Sequence, residues 1–412
     1  MNQKLRTDAE AIVRAAIEAV KPDEAVRRLL SDHMPRGRIY LVAVGKAAWR
    51  MAKTACELTD VEDGVVITKY DHVEHSLPGL RCFEAGHPVP DENSVLATQA
   101  ALEMTEHLSE DDTVLFLLSG GGSALFERPR VSLAELQDIT SQLLACGAEI
   151  TEINTIRKRL SAVKGGRFAQ WCAPARVMTV VRSDVLGDRL DMIASGPAAP
   201  DGSTTADALA IAEKYSLHLR PETTELLTKE TPKALHNVTS YIIGSVRELV
   251  RAAEQKCREL GYEPVFLTDR LCCEARAAGS FLGSILESYA CSGRKLAFLA
   301  GGETVVRLTG SGLGGRNQEI ALAAAERIAG IPNAAVISVG SDGTDGPTDA
   351  AGGYADGDTL PELRKLGMTP EEILRRNDAY HGLKAVDGLI ITGPTGTNVN
   401  DIAVALLGEE KG

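Results

Sequence analysis

Unbroken apolar runs of three to six residues, closed by glycine, serine or aspartate and followed by a helix-like pattern, recur along the whole chain. The first, Ile39–Val44, meets Gly45-Lys46 and then a helical pattern from Ala47 to Leu58. Others stand at Val65–Thr68, Val114–Leu118, Val177–Val181, Tyr241–Ile243 and Val265–Leu267. They continue at Leu296–Ala300, Val305–Leu308, Ala335–Val339 and Leu389–Ile391. A strand that is apolar at successive positions must be covered on both faces, and intervening helices supply the cover. The pattern predicts an α/β architecture with mostly parallel sheets sandwiched by helices. At ~150 residues per domain, a chain of 412 residues should hold two such units. A polar, charged helical stretch ends near Thr231-Pro232, and a fresh strand–helix–strand unit opens at Tyr241. The division falls at 1–235 and 236–412.

Charge narrows the partners. Lys and Arg number 44 against 57 Asp and Glu, a net charge of −13. Wrapping nucleic acid or lying on anionic lipid needs clustered cations, so both are excluded as expectations. The eight cysteines form no C-x-x-C pair, which argues against a zinc or thioredoxin-like site and for free thiols in a reducing cytoplasm. The opening residues alternate charge with aliphatics at helical spacing, reading as neither a signal peptide nor a transmembrane span. A cytoplasmic location is expected.

Candidate chemistry gathers where strands run into helices, the position at which open α/β sheets bind ligands. Ser119-Gly120-Gly121-Gly122-Ser123 follows a buried strand, and its glycines let backbone N–H groups approach a phosphate or carboxylate. Lys46 lies at the carboxyl end of the first strand, where packing rarely calls for lysine. Gly310–Gly315 is a formal G-x-G-x-x-G, the spacing of a dinucleotide loop. Arg316 follows directly, however, and a guanidinium beside Gly314 and Gly315 suits transferring phosphates better than nicotinamide. Asp342, Asp345 and Asp349 fall within eight residues of one loop and could serve a hard cation such as Mg²⁺. Asp184 and Asp188 form a second acidic pair. The run Arg157-Lys158-Arg159, with Lys164 and Arg167, is either an anion site or a solvated face. His72, His75 and His87 lack the spacing of a metalloprotease motif.

Taken together, these motifs resemble the class II glycerate kinases, the glycerate 2-kinase family whose C-terminal part is the MOFRL region and whose members often carry a hydroxypyruvate reductase label. The matching segments are Val44–Ala48, Gly86–Asp91, Ser119–Leu125, Ile153–Arg167, Ser183–Asp188, Ile193–Pro197, Gly301–Thr304, Gly314–Glu319, Gly343–Gly352 and Gly393–Asp401. Any one is weak alone; ten in the family's order are specific. The resemblance implies a Rossmann-like first domain, a second α/β domain containing the MOFRL region, and an active site in the cleft between them. It implies ATP- and Mg²⁺-dependent phosphorylation of D-glycerate to 2-phosphoglycerate, with Lys46 and Arg316 as active-site residues.

Phosphoryl transfer asks mainly for positioning and charge neutralisation. Ser119, Gly120, Gly121, Gly122, Ser123, Asp184, Gly314 and Gly315 are therefore expected at the nucleotide, and Asp188, Asp342 and Asp345 at the metal. The sequence does not rank Asp184 against Asp188, or Asp342 against Asp345, as metal ligand or base. Glycerate and ATP are the expected small-molecule partners, with homo-oligomerisation left open. The rival reading is an NAD(P)H-dependent hydroxypyruvate reductase resting on Gly310–Gly315. Lys46 and Arg316, both at strand-to-helix junctions, should each be removable at little cost in stability.

Overall fold

The computed structural model describes residues 2–183, 185 and 187–409. It contains two compact units, one of which is Ala25–Ile243. The other begins at Gly244 and takes in the N-terminal segment up to Glu24. No described helix is long and apolar enough to cross a membrane.

The first unit is built on a six-stranded sheet. Its strands are β1 (Arg38–Val44), β2 (Val61–Lys69), β3 (Leu80–Ala85), β4 (Asp112–Leu118), β5 (Arg176–Arg182) and β6 (Val238–Gly244). Their order is β3-β2-β1-β4-β5-β6, and the pairs from β3 to β5 are parallel. This is the doubly wound order whose direction of travel reverses between β1 and β4. Alternation along the strands explains the unbroken apolar runs. Val42, Val44, Phe116 and Leu118 pack on one face with Phe126 and Phe168, whereas Leu41, Ala43, Leu115 and Leu117 pack on the other with Trp49 and Met51. Register then fixes the strand ends. Val44 pairs with both Ile67 and Leu118, and Leu118 pairs with Val181. The carboxyl ends of β1, β2, β4 and β5 are level, so their loops emerge side by side.

The second unit carries β7 (Glu263–Leu271), β8 (Leu296–Gly302), β9 (Ala334–Gly340), β10 (Gly352–Asp356), β11 (Leu389–Ile390) and β12 (Asp401–Leu407). The order is β11-β10-β9-β12-β8-β7. The α/β layering is as expected, but the strand directions are mixed. Among the described residues only β7 and β8 form a parallel pair, while β12 runs antiparallel to both β8 and β9, and β10 antiparallel to β9 and β11. A fully covered strand is apolar whichever way it runs, so direction left no mark on the sequence. Val305–Leu308, read as a strand, makes only an isolated bridge through Val305, and Leu308 is 79% exposed. The segment ends in the turn-rich loop before Arg316, which overrides its apolar composition.

Helix Gln3–Ala19 buries Leu5, Ile12, Val13 and Ile17 against Leu249, Val250 and Val404 of the second unit. A division at 235/236 groups this helix with the first sheet. The amphipathic stripe announces a covered face but not which sheet covers it.

Phe116, Phe126 and Phe168 form a triangle with ring centroids 4.7–5.7 Å apart beneath the glycine loop that follows β4. Phe116→Ala should cost about 3–5 kcal/mol, the range for emptying a packed aromatic site. Denaturant unfolding checks this; a loss below about 1 kcal/mol would mean that the triangle does not support the loop above it.

Candidate active site

The crevice of a doubly wound sheet opens where the winding reverses, here between the loops that follow β1 and β4. These loops are laced together. The Ser119 hydroxyl accepts from the Ala47 N–H at 3.0 Å and donates to the Val44 carbonyl at 3.3 Å. The Lys46 N–H donates to the Gly120 carbonyl at 2.9 Å. Gly45 makes the lacing possible. Its φ is +118°, and a Cβ there would lie 2.3 Å from the Ser119 hydroxyl oxygen. The Lys46 carbonyl also accepts from His72 Nδ1 at 3.0 Å. Its backbone is thus pinned, while its ammonium is exposed and has no hydrogen bond or ion pair among the described residues. Ser119, expected at the nucleotide, is instead 1% exposed; it positions its neighbours.

Gly120, Gly121, Gly122 and Ser123 line a cavity of about 850 Å³, with Asn154 and Arg157 on another wall. No acceptor among the described residues takes the N–H of Gly121, Gly122 or Ser123. The Ser123 hydroxyl sits 3.0 Å from that of Ser195, which donates to Asn154 Oδ1 at 2.8 Å. Ala194 and Ser195 both hold positive φ, 50° and 60°. Such backbone costs about 1–3 kcal/mol per residue and clusters at ligand clamps.

The basic run divides cleanly. Lys158 pairs with Asp201 at 3.0 Å, and Arg159 donates to Thr155, Ser203 and the Ser203 carbonyl from a fully buried position. Lys164, also buried, pairs with Glu127 at 3.1 Å and donates to the Phe126 carbonyl; burial holds its pKa below the usual lysine range. The Arg167 guanidinium donates to the Lys158 carbonyl. These four hold the fold together. Arg157 alone faces the cavity.

In the second unit Arg316 opens the helix Arg316–Arg327. Its Nε and Nη2 donate to the two oxygens of Asp401 at 2.5 and 3.0 Å, and Nη1 donates to Glu303 at 2.8 Å. Burial would lower its pKa, but the two carboxylates hold it above the usual arginine value. Burial pushes the Asp401 carboxyl up to about 6 against the opposing pull of Arg316. Asn400 Nδ2 donates to the second oxygen of Glu303 at 3.1 Å. Arg316 is therefore a clamped guanidinium, with two of its five N–H donors uncommitted.

The helix N-terminus beside it is already occupied. Asp345, 2% exposed, accepts from the N–H groups of Asn317 and Gln318 at 3.1 and 2.9 Å and from Asn317 Nδ2 at 3.2 Å. Gly315 is glycine because a Cβ there would lie 2.2 Å from the Asp345 carboxyl carbon. Asp345 thus serves as an internal cap, with both carboxylate oxygens engaged by the helix N-terminus. Gly314 and Gly315 border that cap rather than an open phosphate site. Asp342 uses one oxygen for the N–H and hydroxyl of Thr344 at 2.9 and 3.0 Å. Asp349 accepts from the Tyr380 hydroxyl at 2.8 Å. No group of three or more His, Cys, Asp or Glu among the described residues could hold a metal ion. Asp184 lies outside the described residues; Asp188 has φ of 53° and a buried Oδ1 with no hydrogen-bond partner among the described residues.

Three of the G-x-G-x-x-G amides, those of Gly310, Gly312 and Leu313, are likewise spent. Thr309 and Gly310 donate to Asn377 Oδ1 at 2.7 and 2.8 Å, Gly312 to the Arg376 carbonyl at 2.9 Å, and Leu313 to Asp378 at 3.0 Å. No strand precedes them. Sequence reasoning missed Glu303 and Asp401 as partners of Arg316 and left Arg157 undivided from its neighbours. Glu303 and Asp401 did stand in quoted motifs, as the sole acids of Gly301–Thr304 and Gly393–Asp401.

Family models match most of the chain: a domain of unknown function (DUF4147) over residues 8–228 and the MOFRL family over residues 296–401. The chain is 51% identical to the D-glycerate 2-kinase of Thermotoga maritima, covering 98% of this chain and 99% of that protein. It is 41% identical to the glycerate 2-kinase of Pyrococcus horikoshii, over 99% and 97% of the two chains. A protein of Agrobacterium vitis with a provisional hydroxypyruvate reductase name is 38% identical, over 96% and 93%. Among solved structures, a Thermotoga maritima glycerate kinase superposes with a TM-score of 0.95 at 51% identity, covering 98% of this chain and all of its own.

The geometry separates the two cations. Lys46→Ala should change stability by less than about 1 kcal/mol, because the ammonium supports nothing. Arg316→Ala should cost about 3–5 kcal/mol, because it leaves the buried Asp401 unpaired. Equal losses in denaturant unfolding would contradict that contrast. A pH series tests Asp401 itself. Its folded pKa lies above the unfolded value, so the native state holds a proton that the unfolded chain lacks between about pH 4 and 6. Its contribution to stability should grow as pH falls through that window. Unfolding free energies should show this in wild type minus Asp401→Asn, and a flat difference would place Asp401 near the ordinary aspartate value.

Proposed function

This chain belongs to the glycerate 2-kinase family, and on that premise we propose that it transfers the terminal phosphoryl group of ATP to D-glycerate, giving 2-phosphoglycerate. The observation that carries the reading is the laced crevice between β1 and β4. It presents unspent amides of Gly121, Gly122 and Ser123 beside a pinned backbone whose Lys46 ammonium is uncommitted. Phosphoryl transfer needs such fixed donors and cations, aimed where charge develops.

In this scheme Gly120 to Ser123 hold nucleotide phosphates, and Lys46 neutralises charge at the transferring group. Ser119 and Gly45 keep the two loops in register. In the second unit, Arg316 is oriented by Asp401 and Glu303 and offers its two remaining N–H groups to an oxyanion. Mg²⁺ bound with ATP would supply positive charge to offset that of the phosphates. Asp188 fits that ion, through its buried unpartnered oxygen in the segment that lines the cavity at Val185 and Arg189. Asp342 keeps one carboxylate oxygen for the same purpose, whereas Asp345 does not. All eight cysteines are free, which suits a reducing cytoplasm. The amides of Gly310, Gly312 and Leu313 are spent inside the chain, which weighs against a nicotinamide reading.

Phosphorus NMR of the product formed from ATP and D-glycerate tests the activity and the hydroxyl chosen. The expected product is 2-phosphoglycerate; oxidation of NADH by hydroxypyruvate at a comparable rate would overturn the reading. Lys46→Ala should lower kcat by roughly 10²–10³-fold, the scale of losing one preorganised donor, with melting temperature unchanged. Near-normal kcat in that variant would remove Lys46 from the reaction.

A further inference from the structure

The cavity beside the glycine loop has a second wall whose residue choice is not explained by packing. Two helices, Leu133–Ala145 and Ile150–Leu160, bury Leu136, Ile139 and Leu143 against Ile153, Ile156 and Leu160. Their other faces line the cavity at helical spacing, through Gln137, Thr140 and Leu144 on one and Ile150, Asn154 and Arg157 on the other. Ile150 and Arg157 are two turns apart, about 10 Å along the axis.

The two ends of that stripe differ chemically. Arg157 is half-buried, yet it makes no hydrogen bond and no ion pair among the described residues. Glu127 is the one acid that acts on it, and Glu127 is committed to Lys164 at 3.1 Å. The other arginine lining the cavity, Arg189, is spent on Asp191 at 2.8 Å. A half-buried guanidinium without a counter-charge is destabilising in the free protein and calls for an anion. At the other end Leu144 and Ile150 stand 63% and 62% exposed. Two large exposed aliphatic side chains at one end of a cavity invite a flat apolar group.

We propose that this cavity is the nucleoside-polyphosphate subsite, with Arg157 as a phosphate receptor and Leu144 and Ile150 as the clamp on the base. The inference rests on the kinase reading and deepens it. Two features decide for a nucleotide over the three-carbon acid. The cavity, at about 850 Å³, far exceeds what glycerate fills, and glycerate has no use for an aliphatic clamp. The stripe from Ile150 to Arg157, in contrast, is comparable with the span from a purine through its ribose to the phosphates.

Titration calorimetry on the full chain, with Mg²⁺ present, provides the test, using ADP and inorganic tripolyphosphate as probes. Arg157→Gln should weaken both roughly 10–100-fold, the worth of a charge-assisted hydrogen-bonded contact. Arg157→Lys should recover part of the loss, since a point charge replaces a fork. Leu144→Ser with Ile150→Ser should weaken ADP and leave tripolyphosphate unchanged. The KM for D-glycerate should stay put in all three. Because Arg157→Gln removes an unpaired charge, its melting temperature should equal or exceed that of wild type. ADP affinity within about twofold of wild type in Arg157→Gln would overturn the proposal. So would a raised glycerate KM with ADP binding intact, which moves Arg157 to the acceptor's carboxylate, or a lowered melting temperature, which assigns it to the fold. Wild-type protein that binds ADP but makes no phosphoglycerate would sink the kinase reading and leave the subsite standing.

Discussion

Val44 pairs on one side with Ile67 and on the other with Leu118, and that register decides where the chemistry of the first unit emerges. With the strand ends level, the loops after β1 and β4 meet at the reversal of winding. Ser119 can then reach back to Val44 and across to Ala47. A slip of one residue would turn Ser119 to the opposite face, since side chains alternate along a strand. The lacing would be lost, and the Lys46 backbone with it. The position of an exposed, uncommitted ammonium thus depends on apolar packing several residues deeper, in which Val42 and Phe116 fix the strands against Phe126 and Phe168.

The second unit shows the same motif chemistry turned inward. Gly-Gly-Arg-Asn-Gln-Glu looks like a loop for an external anion, but the anion at this helix N-terminus is the chain's own Asp345. Gly315 admits that carboxylate, Asn317 and Gln318 donate to it, and Glu319 pairs with Arg276 at 2.9 Å on the buried side. Among the side chains of that motif, Arg316 keeps two N–H donors for another molecule. A glycine-rich turn before a helix has one sequence signature whether its N–H groups meet a ligand or an internal acid, because the backbone requirement is identical. Resolving the two needs the partner, and Asp345 stands 28 residues beyond Asn317.

That distinction marks what was legible. Strands covered on both faces were readable as runs, and the loops after β1 and β4 followed from them. Strand direction was not, nor the core position of β12, which enters the sheet from the C-terminal end between β8 and β9. Nothing in the run Asp401–Leu407 says that it will lie centrally, or that its first residue will clamp Arg316. Val305–Leu308 shows the converse, a mainly apolar run whose Val305 and Leu308 are left exposed. The basic run 157–159 was ambiguous for a geometric reason. Consecutive residues on a helix point about 100° apart, so three adjacent cations are sent to different surroundings. Two found acids inside the fold; Arg157 faced the cavity.

Charge bookkeeping across the molecule gives these two cations their meaning. With a net charge of −13, the chain as a whole repels a nucleoside triphosphate and a hydroxy acid alike. Its internal cations do nothing to offset this: Lys158 is cancelled by Asp201, Lys164 by Glu127, Arg276 by Glu319 and Arg316 by Asp401. Lys46 and Arg157 are different, both in the first unit and both without an acid in contact. Screening at physiological salt confines the influence of distant exposed charges to about 8 Å, so local composition outweighs the net sum at the site. In the proposed scheme these two uncancelled cations, with the unspent amides of the glycine loop, would draw in an anion that the surface at large disfavours. The deeper of the two, held away from water, supplies the stronger field.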